Sequence, residues 1–176
     1  MAIVLDAVSA PPVPTLGGGW TLRQAGDPAG VSRAALSVSV PDTRTTARTY
    51  AATCDGGPAI LLEIHRVPHH TLRACYPFGA HDLAVEVVLP APGPSGQAPA
   101  SRLLRELVPA LFAADPRCRR VVAAPAEDDS PAQRALEAAG FRRVTEADLP
   151  GGTVVLFTAE PPAVAGVSTA LDDMPH

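Results

Sequence analysis

The stretch from Ser101 to Ala159 constrains the fold most, because helix and strand patterns alternate along it without interruption. Leucines recur at helical spacing in its first part, and short apolar runs separated by turn residues follow. The predicted elements are a helix over 100–114, a strand over 120–124, a helix that begins at Ser130 and ends at Gly140, and strands over 141–146 and 153–159. Such alternation calls for a partly parallel sheet with helices packed on its faces. The sequence therefore predicts an α/β domain built on a mixed sheet.

The preceding residues add strands to this sheet. Residues 20–23 alternate between apolar and polar, and the β-like runs 49–54 and 59–65 flank an Asp-Gly-Gly-Pro turn that is typical of a hairpin. Residues 81–89 form the clearest strand, in which odd-numbered and even-numbered side chains point to opposite faces. A short helix is expected from Asp27, and residues 36–48 are expected to form a loop or a short strand.

Length and the placement of Pro and Gly predict one domain. A chain of 176 residues is long enough to bury a real core. Residues 1–19 are rich in proline and end in three glycines, so we expect a flexible leader there. Residues 20–160 are expected to form the domain, and residues 161–176 a loose tail.

Charge and cysteine content exclude several function classes. A net charge of −4 and a pI of about 5.7 give no general attraction to nucleic acid or to an anionic membrane. The three cysteines lie far apart with no CxxC spacing, which argues against a zinc site and against a disulfide framework and suits a reducing compartment. The first residues lack the basic segment of a signal peptide. We therefore expect a cytoplasmic protein without a bound metal.

Three phrases carry a resemblance to a known family: LLRELVPALFAADP, RCRRVV, and RALEAAGFRRV followed by an acidic, LPGG and apolar run. They resemble the C-terminal half of a GNAT acyltransferase. The similarity is greatest to the branch that acylates lysine-like amines in siderophore assembly and to its aminoglycoside-acetylating relatives. The resemblance implies a mixed sheet that splays between strands 82–89 and 120–124, with helices on both faces, and an acyl-carrier pantetheine inserted in the gap.

The resemblance also implies an activity and its partners. The expected function is N-acyl transfer from an acyl-CoA, or from a carrier-protein thioester, to a small amine or amino-acid-like acceptor in bacterial secondary metabolism. A small amine, an acyl carrier protein and a second copy of the chain in a homodimer are the expected partners. The competing hypothesis is a GNAT-fold protein that no longer transfers acyl groups, either a repurposed biosynthetic enzyme or a non-catalytic binding module, because several motif positions depart together.

The coenzyme A loop is one of those departures. GNAT enzymes hold the coenzyme A pyrophosphate on backbone N–H groups where a helix begins. When the sequences are aligned on Leu103 and Leu104, Ala98 replaces the central glycine of the family pattern, and Pro99 has no N–H to donate, so weak binding is expected. The residues that the resemblance assigns to acetyl-CoA or another acyl-CoA are Val87, Val88, Leu89, Ser95, Gly96, Gln97, Ala98, Ala100, Ser101 and Arg102.

The central strand carries the candidate catalytic residues. Glu86 stands where the siderophore branch has a histidine base, and a carboxylate in apolar surroundings can take that role. Asp82 matches an aspartate of the family pattern, and His81 precedes it. Leu136 occupies the position at which other GNAT enzymes carry a tyrosine general acid. The alternative for Glu86 is a structural carboxylate that faces solvent or pairs with an arginine.

Candidate substrate-binding residues lie on both sides of this strand. His65 and Tyr76 are expected to border the acceptor pocket, and Asp128 lies in the turn before the second helix. His69 and His70 are expected to be exposed loop residues. No helical i, i+4 pair links the histidines, so a metal site is the weaker hypothesis for them.

Overall fold

The computed structural model describes residues 10–25, 47–89 and 94–162. In these residues the strands form one mixed sheet of seven, in the order β1-β2-β3-β4-β5-β7-β6. The strands are β1 (Trp20–Gln24), β2 (Ala47–Cys54), β3 (Ile60–Arg66), β4 (Leu83–Val88), β5 (Val121–Ala123), β6 (Arg142–Leu149) and β7 (Gly152–Ala159). Two α-helices, α1 (Pro94–Ala114) and α2 (Ser130–Ala138), complete the described fold. The predicted α/β class with a mixed sheet is confirmed.

Strands β4 and β5 are the parallel pair, and α1 connects them. Their pairing covers only Leu83 with Val121 and Ala84 with Val122. Beyond Ala84, β4 continues against β3 alone, up to the pairing of Val88 with Leu61. The sheet therefore opens between β4 and β5, as the resemblance implied.

The hairpin between β2 and β3 closes where the sequence placed it. Ala52 pairs with Ile60, and the turn between them contains Asp55 with φ of 50° and Gly56 with φ of 73°. Both values lie in the left-handed region, which glycine adopts without strain and which aspartate tolerates better than most residues. The Asp-Gly-Gly signal in the sequence thus predicted a real turn.

Alternation along the central strands divides the core between two faces. On β4, Leu83 and Val85 belong to the larger cluster, which includes Leu104, Leu107 and other side chains of α1 and α2. Ala84 belongs to the opposite cluster. That second face is covered by two short 3₁₀ helices, Val67–His69 and Thr71–Ala74, through Val67 and Leu72.

Both α-helices begin differently from the prediction. Helix α1 starts at Pro94 rather than near Ala100, because proline is tolerated in the first turn, where N–H groups have no intrahelical partner. Helix α2 is capped by Asp129, whose carboxylate accepts from the N–H of Ala132, and not by the hydroxyl of Ser130. Gly140 follows the end of α2 with φ of 94°, as the prediction of a glycine stop required.

Part of the expected leader lies against the domain. Pro11 and Pro14 are buried, and Leu16 packs on the larger core cluster. The expected helix at Asp27, most of the 36–48 segment and nearly all of the 161–176 tail lie outside the described residues. None of the helices in the described ranges is long and apolar enough to cross a membrane.

Candidate functional site

A cavity of about 180 Å³ occupies the opening between β4 and β5. From the helical side it is lined by Val85, Val87, Leu104 and Leu136, among others. From the opposite side it is lined by residues that include His70, Leu72 and Glu86. Because its walls come from both faces, the cavity passes through the sheet where β4 and β5 separate.

Glu86 is placed on this wall by the alternation of β4. Its side chain points away from Val85 and Val87, as the sequence predicted, and is 25% exposed. One of its oxygens, Oε1, lies 3.1 Å from Nε2 of His70. Across the β3–β4 ladder the Cα partner of Glu86 is Glu63. Among the described residues, Glu86 and Asp129 are the two carboxylates that line the cavity.

His70 is a buried residue, and the expectation that it would be an exposed loop residue was wrong. The chain folds back after β3 through the two 3₁₀ helices, and His70 caps the second by accepting the N–H of Leu72 at Nδ1, at 3.3 Å. A nitrogen that accepts has no proton, so the neutral ring carries its proton on Nε2. That nitrogen then donates to the Glu86 carboxylate.

His65 lies beside this pair and does not line the cavity. Its ring centroid is 4.9 Å from that of His70, and its Nε2 is 3.5 Å from Oε1 of Glu63. Burial, reinforced by the neighbouring His70, lowers the pKa of His65 to about 4. His65 is therefore neutral near pH 7 and packs against the ring of His70 without adding a positive charge beside it.

The same residues form the group in the described ranges best placed to hold a metal ion. Candidate ligand atoms of His65, His70 and Glu86 lie within 4.8 Å of one another. Coordination by Nε2 of a neutral His70 would require a proton on Nδ1, which would then face the N–H of Leu72. The hydrogen bonds favour a carboxylate partner over a cation.

Asp82 and His81 lie at the other end of β4, away from the cavity. Asp82 is 1% exposed, and its carboxylate accepts the backbone N–H groups of Gly79, Arg119 and Arg120. His81 lies 3.9 Å from Asp115. The sequence-based catalytic roles of Asp82 and His81 are corrected accordingly, because a carboxylate saturated by backbone donors cannot reach a substrate in the cavity.

The residues assigned to the cofactor fall into three groups. Val87, Val88, Leu89 and Ala100 line the cavity. Ser95, Gly96 and Gln97 lie in the first turn of α1, and the backbone N–H groups of Ser95 and Gly96 have no intrahelical partner there. The remaining three residues belong to the body of the helix: the hydroxyl of Ser101 donates to Ala98, and Arg102 lies 3.7 Å from Sγ of Cys54.

The expected weakening of coenzyme A binding by Pro99 loses its basis in this geometry. Pro99 lies inside α1, five residues after its start at Pro94. The N–H that Pro99 lacks would have bonded the carbonyl of Ser95 within the helix rather than a phosphate. The donors at the beginning of α1 are therefore unaffected by Pro99.

Two of the expected substrate contacts are placed elsewhere. Tyr76 packs against Phe78 and lies under the guanidinium of Arg120, 5.4 Å from its ring centre. Asp128 is exposed, and the neighbouring Asp129 reaches the cavity instead. The sequence analysis missed Asp129 because it follows two other acidic residues, and sequence alone does not tell which of the three caps α2 and faces the cavity. Leu136 does line the cavity, so no tyrosine hydroxyl is present there.

The chain is similar in sequence to one protein family and in fold to several solved structures. A family model described as an acetyltransferase (GNAT) domain matches residues 24–149. The aminoglycoside acetyltransferase AAC(6')-Ib in complex with paromomycin and acetyl-CoA is similar at a TM-score of 0.66, with 18% identity over 86% of this chain and 98% of that chain. The same enzyme in complex with coenzyme A gives a TM-score of 0.59, with 21% identity over 68% of this chain and 69% of that chain.

An uncharacterized protein from Bacillus halodurans gives a TM-score of 0.59, with 23% identity over 65% of this chain. The chain spans 58% of that protein's length. At these identities the shared property is the fold. No curated protein sequence matches the chain.

Proposed function

The chain belongs to the GNAT acetyltransferase family, and we propose that it transfers an acyl group from an acyl-CoA to the amine of a small cationic acceptor. The observation that carries this proposal is the cavity through the sheet. It joins the helical side, where α1 begins, to the opposite side, where Glu86 lies. A donor entering from one side and an amine entering from the other would meet at Glu86.

The residues present fit an acyl-CoA donor. Small side chains line the opening between β4 and β5, among them Ala84, Ala123 and Ala124, so a slender pantetheine arm has room. The first turn of α1 offers the N–H groups of Ser95 and Gly96 to a pyrophosphate. When bound, the cofactor would supply a thioester: the carbonyl would form a bond to the amine nitrogen, the C–S bond would break, and coenzyme A would leave as a thiolate that takes a proton from solvent.

Glu86 is the residue that we assign as general base. Its carboxylate lies on the cavity wall, accepts one hydrogen bond from His70, and is partly exposed. It can therefore take a proton from an incoming ammonium group and leave a neutral, nucleophilic amine. Leu136 and the other apolar lining residues limit water around the reacting groups.

The charge of the cavity favours a cationic acceptor. Among the residues that the structure describes, Glu86 and Asp129 line it, and none of the described lining residues is an arginine. Two carboxylates at a site that accepts an amine attract its protonated form before deprotonation. Lysine-like amines of siderophore assembly and aminoglycoside-like amines in bacterial secondary metabolism are the proposed acceptors, and the neighbour AAC(6')-Ib has been solved with paromomycin and acetyl-CoA.

We propose two further partners, an acyl carrier protein and a second copy of the chain. An acyl carrier protein presents the same pantetheine arm and is the second proposed donor. The homodimer is proposed from the sequence resemblance alone. We propose that the reaction takes place in the cytoplasm, where an acyl-CoA donor would be available.

The experiment that tests the proposal is a thermal unfolding series with acetyl-CoA and with coenzyme A. A ligand present at about one hundred times its Kd stabilises the folded protein by about 2.7 kcal/mol, so we expect a rise in Tm of several degrees. Ser95→Pro removes one N–H in a turn that tolerates proline, and it should reduce that rise. An unchanged Tm at millimolar ligand would contradict the proposal and favour a fold that has lost acyl transfer.

A further inference from the structure

The carboxylate of Glu86 lies opposite another acid. Glu63 is its Cα partner on β3, and both side chains point to the sheet face that the 3₁₀ helices cover. Like charges directly opposite each other on a sheet repel, so each carboxylate tends to rotate away from the other. If Glu86 is to accept a proton from an amine in the cavity, another group must hold its carboxylate in a fixed orientation against this repulsion.

His70 supplies a directed donor at the right place. It is 7% exposed, its ring is anchored at Nδ1 by the N–H of Leu72, and its Nε2 faces Oε1 of Glu86 at 3.1 Å. The anchor fixes both the ring orientation and the tautomer. The N–H on Nε2 therefore points at Glu86 without any change in the protonation of the ring.

The remaining charged and titratable groups around Glu86 do not duplicate this role. His65 contacts the ring of His70 and is neutral near pH 7, because burial lowers its pKa to about 4. Glu63 lies 3.5 Å from His65, and Asp129 caps α2 from across the cavity. Among the described residues, His70 is the one whose hydrogen bond to Glu86 is fixed by a second bond.

We propose that His70 is a positioning residue for Glu86: its Nε2–H, held by the Leu72 N–H at Nδ1, keeps the Glu86 carboxylate aimed into the cavity between β4 and β5. The inference rests on the proposed acyl transfer, because it assigns a partner to the base of that reaction. His70 takes no proton in the step. It orients the group that does.

Two substitutions at His70 separate the donor from the cap. The amide nitrogen of Gln in His70→Gln reaches the position of Nε2 and retains a donor to Glu86. The amide oxygen of Asn in His70→Asn takes the position of Nδ1, so the cap on Leu72 is retained and the donor is lost. Because both variants replace the ring with an amide, each is the matched control of the other.

The kinetic test compares kcat and KM in the parent and in these two variants. Misplacement of a catalytic group by about 1 Å costs on the order of a hundredfold in rate. We expect His70→Asn to lower kcat by roughly thirtyfold to a hundredfold with KM for acetyl-CoA changed by less than about twofold, and His70→Gln to recover most of the loss. Equal rates in both variants, high or low, would overturn the proposal.

A nuclear magnetic resonance measurement on the free protein does not depend on activity. Histidine labelled with ¹⁵N should show the His70 ring with its proton on Nε2, and exchange of that proton should accelerate in Glu86→Ala. A proton on Nδ1 would overturn the proposal, and so would equal proton exchange in the parent and in Glu86→Ala. Stabilisation of the parent by added Zn²⁺, if both His70 variants abolish it, would also overturn the proposal. If the parent transfers no acyl group while the Nε2 signal is as expected, the proposed function fails and the pairing stands.

Discussion

The two ends of β4 each carry a carboxylate, and their surroundings differ. Asp82, just before the strand, is 1% exposed and accepts three backbone N–H groups. Glu86, near the other end, has a side chain that is 25% exposed, accepts one hydrogen bond from a neutral histidine, and faces a cavity. The difference shows that a carboxylate with free accepting capacity at an opening is available for chemistry, whereas a saturated and buried one holds the chain in place.

The neighbours of each end follow the same division. Beside Asp82, the guanidinium of Arg66 lies 2.7 Å from the carboxylate of Asp115 and also donates to the carbonyl of His81. Burial alone would raise the pKa of Asp115, but hydrogen bonds from Arg66 and Arg117 outweigh it and hold that pKa below its ordinary value. Hydrogen bonds and ion pairs therefore hold this end of β4 in place, whereas the other end borders the cavity because β4 no longer pairs with β5 there.

The largest effect should follow from Asp82→Ala. Three backbone donors, those of Gly79, Arg119 and Arg120, would lose a charged acceptor in a buried place. We expect the free energy of unfolding to fall by about 4 kcal/mol. Urea unfolding followed by the fluorescence of Trp20 measures this. Asp148→Ala, at an exposed carboxylate that accepts from the hydroxyl of Thr153, should change stability by less than about 0.5 kcal/mol.

If Asp82→Ala does not fold, Asp82→Asn keeps one acceptor and should still lose on the order of 2 kcal/mol. A change in either variant no larger than that of Asp148→Ala would show that the saturated carboxylate does not hold this end of the sheet.

The next effect should follow from Glu86→Gln at the open end. Removal of the base should lower kcat/KM by on the order of a hundredfold, while Tm changes by less than about 2 °C because the side chain is partly exposed. Steady-state acetylation of a polyamine or aminoglycoside acceptor, together with a thermal scan, measures both. Glu137→Gln on the exposed side of α2 is the control and should leave both unchanged. A parental rate in Glu86→Gln would assign Glu86 a structural role and remove the contrast with Asp82.

A smaller effect should appear in the pH dependence of stability. The pKa of His65 is lowered to about 4 in the folded protein, while an unfolded histidine titrates near 6.5. Between about pH 6.5 and 4 the unfolded chain therefore binds the extra proton, and stability falls as the pH falls, by on the order of 2 to 3 kcal/mol. Urea unfolding at several pH values should show this decline in the parent and a flatter profile in His65→Gln. Identical profiles would place His65 in a more solvated position than the structure shows.

Local patterns predicted much of the fold. The alternation of 81–89 gave the correct face for Glu86, because the two-residue period of a strand leaves little choice once its apolar face is known. The Asp-Gly-Gly signal predicted the β2–β3 hairpin, because the positive φ values of such a turn depend on the turn residues themselves. Gly140 marked the end of α2 through its positive φ.

The site was harder to predict, because its contacts come from distant segments. The hydrogen bonds of Asp82 come partly from Arg119 and Arg120, 37 and 38 residues further along the chain. His70 reaches Glu86 only because the segment after β3 folds back as 3₁₀ helices, which leave no periodic signal in seven residues. The early start of α1 was missed because Pro and Gly in a first turn look like loop residues.

The central claim is that the opening between β4 and β5 receives the acyl-carrier arm, and alanine methyl resonances test it most directly. Ala84 and Ala123 line the cavity from the two separating strands, whereas Ala52 is buried on β2, which β3 separates from β4. Titration of acetyl-CoA into protein labelled at alanine methyls should shift the signals of Ala84 and Ala123 and leave Ala52 unchanged. Saturable binding that leaves Ala84 and Ala123 unshifted would contradict the account.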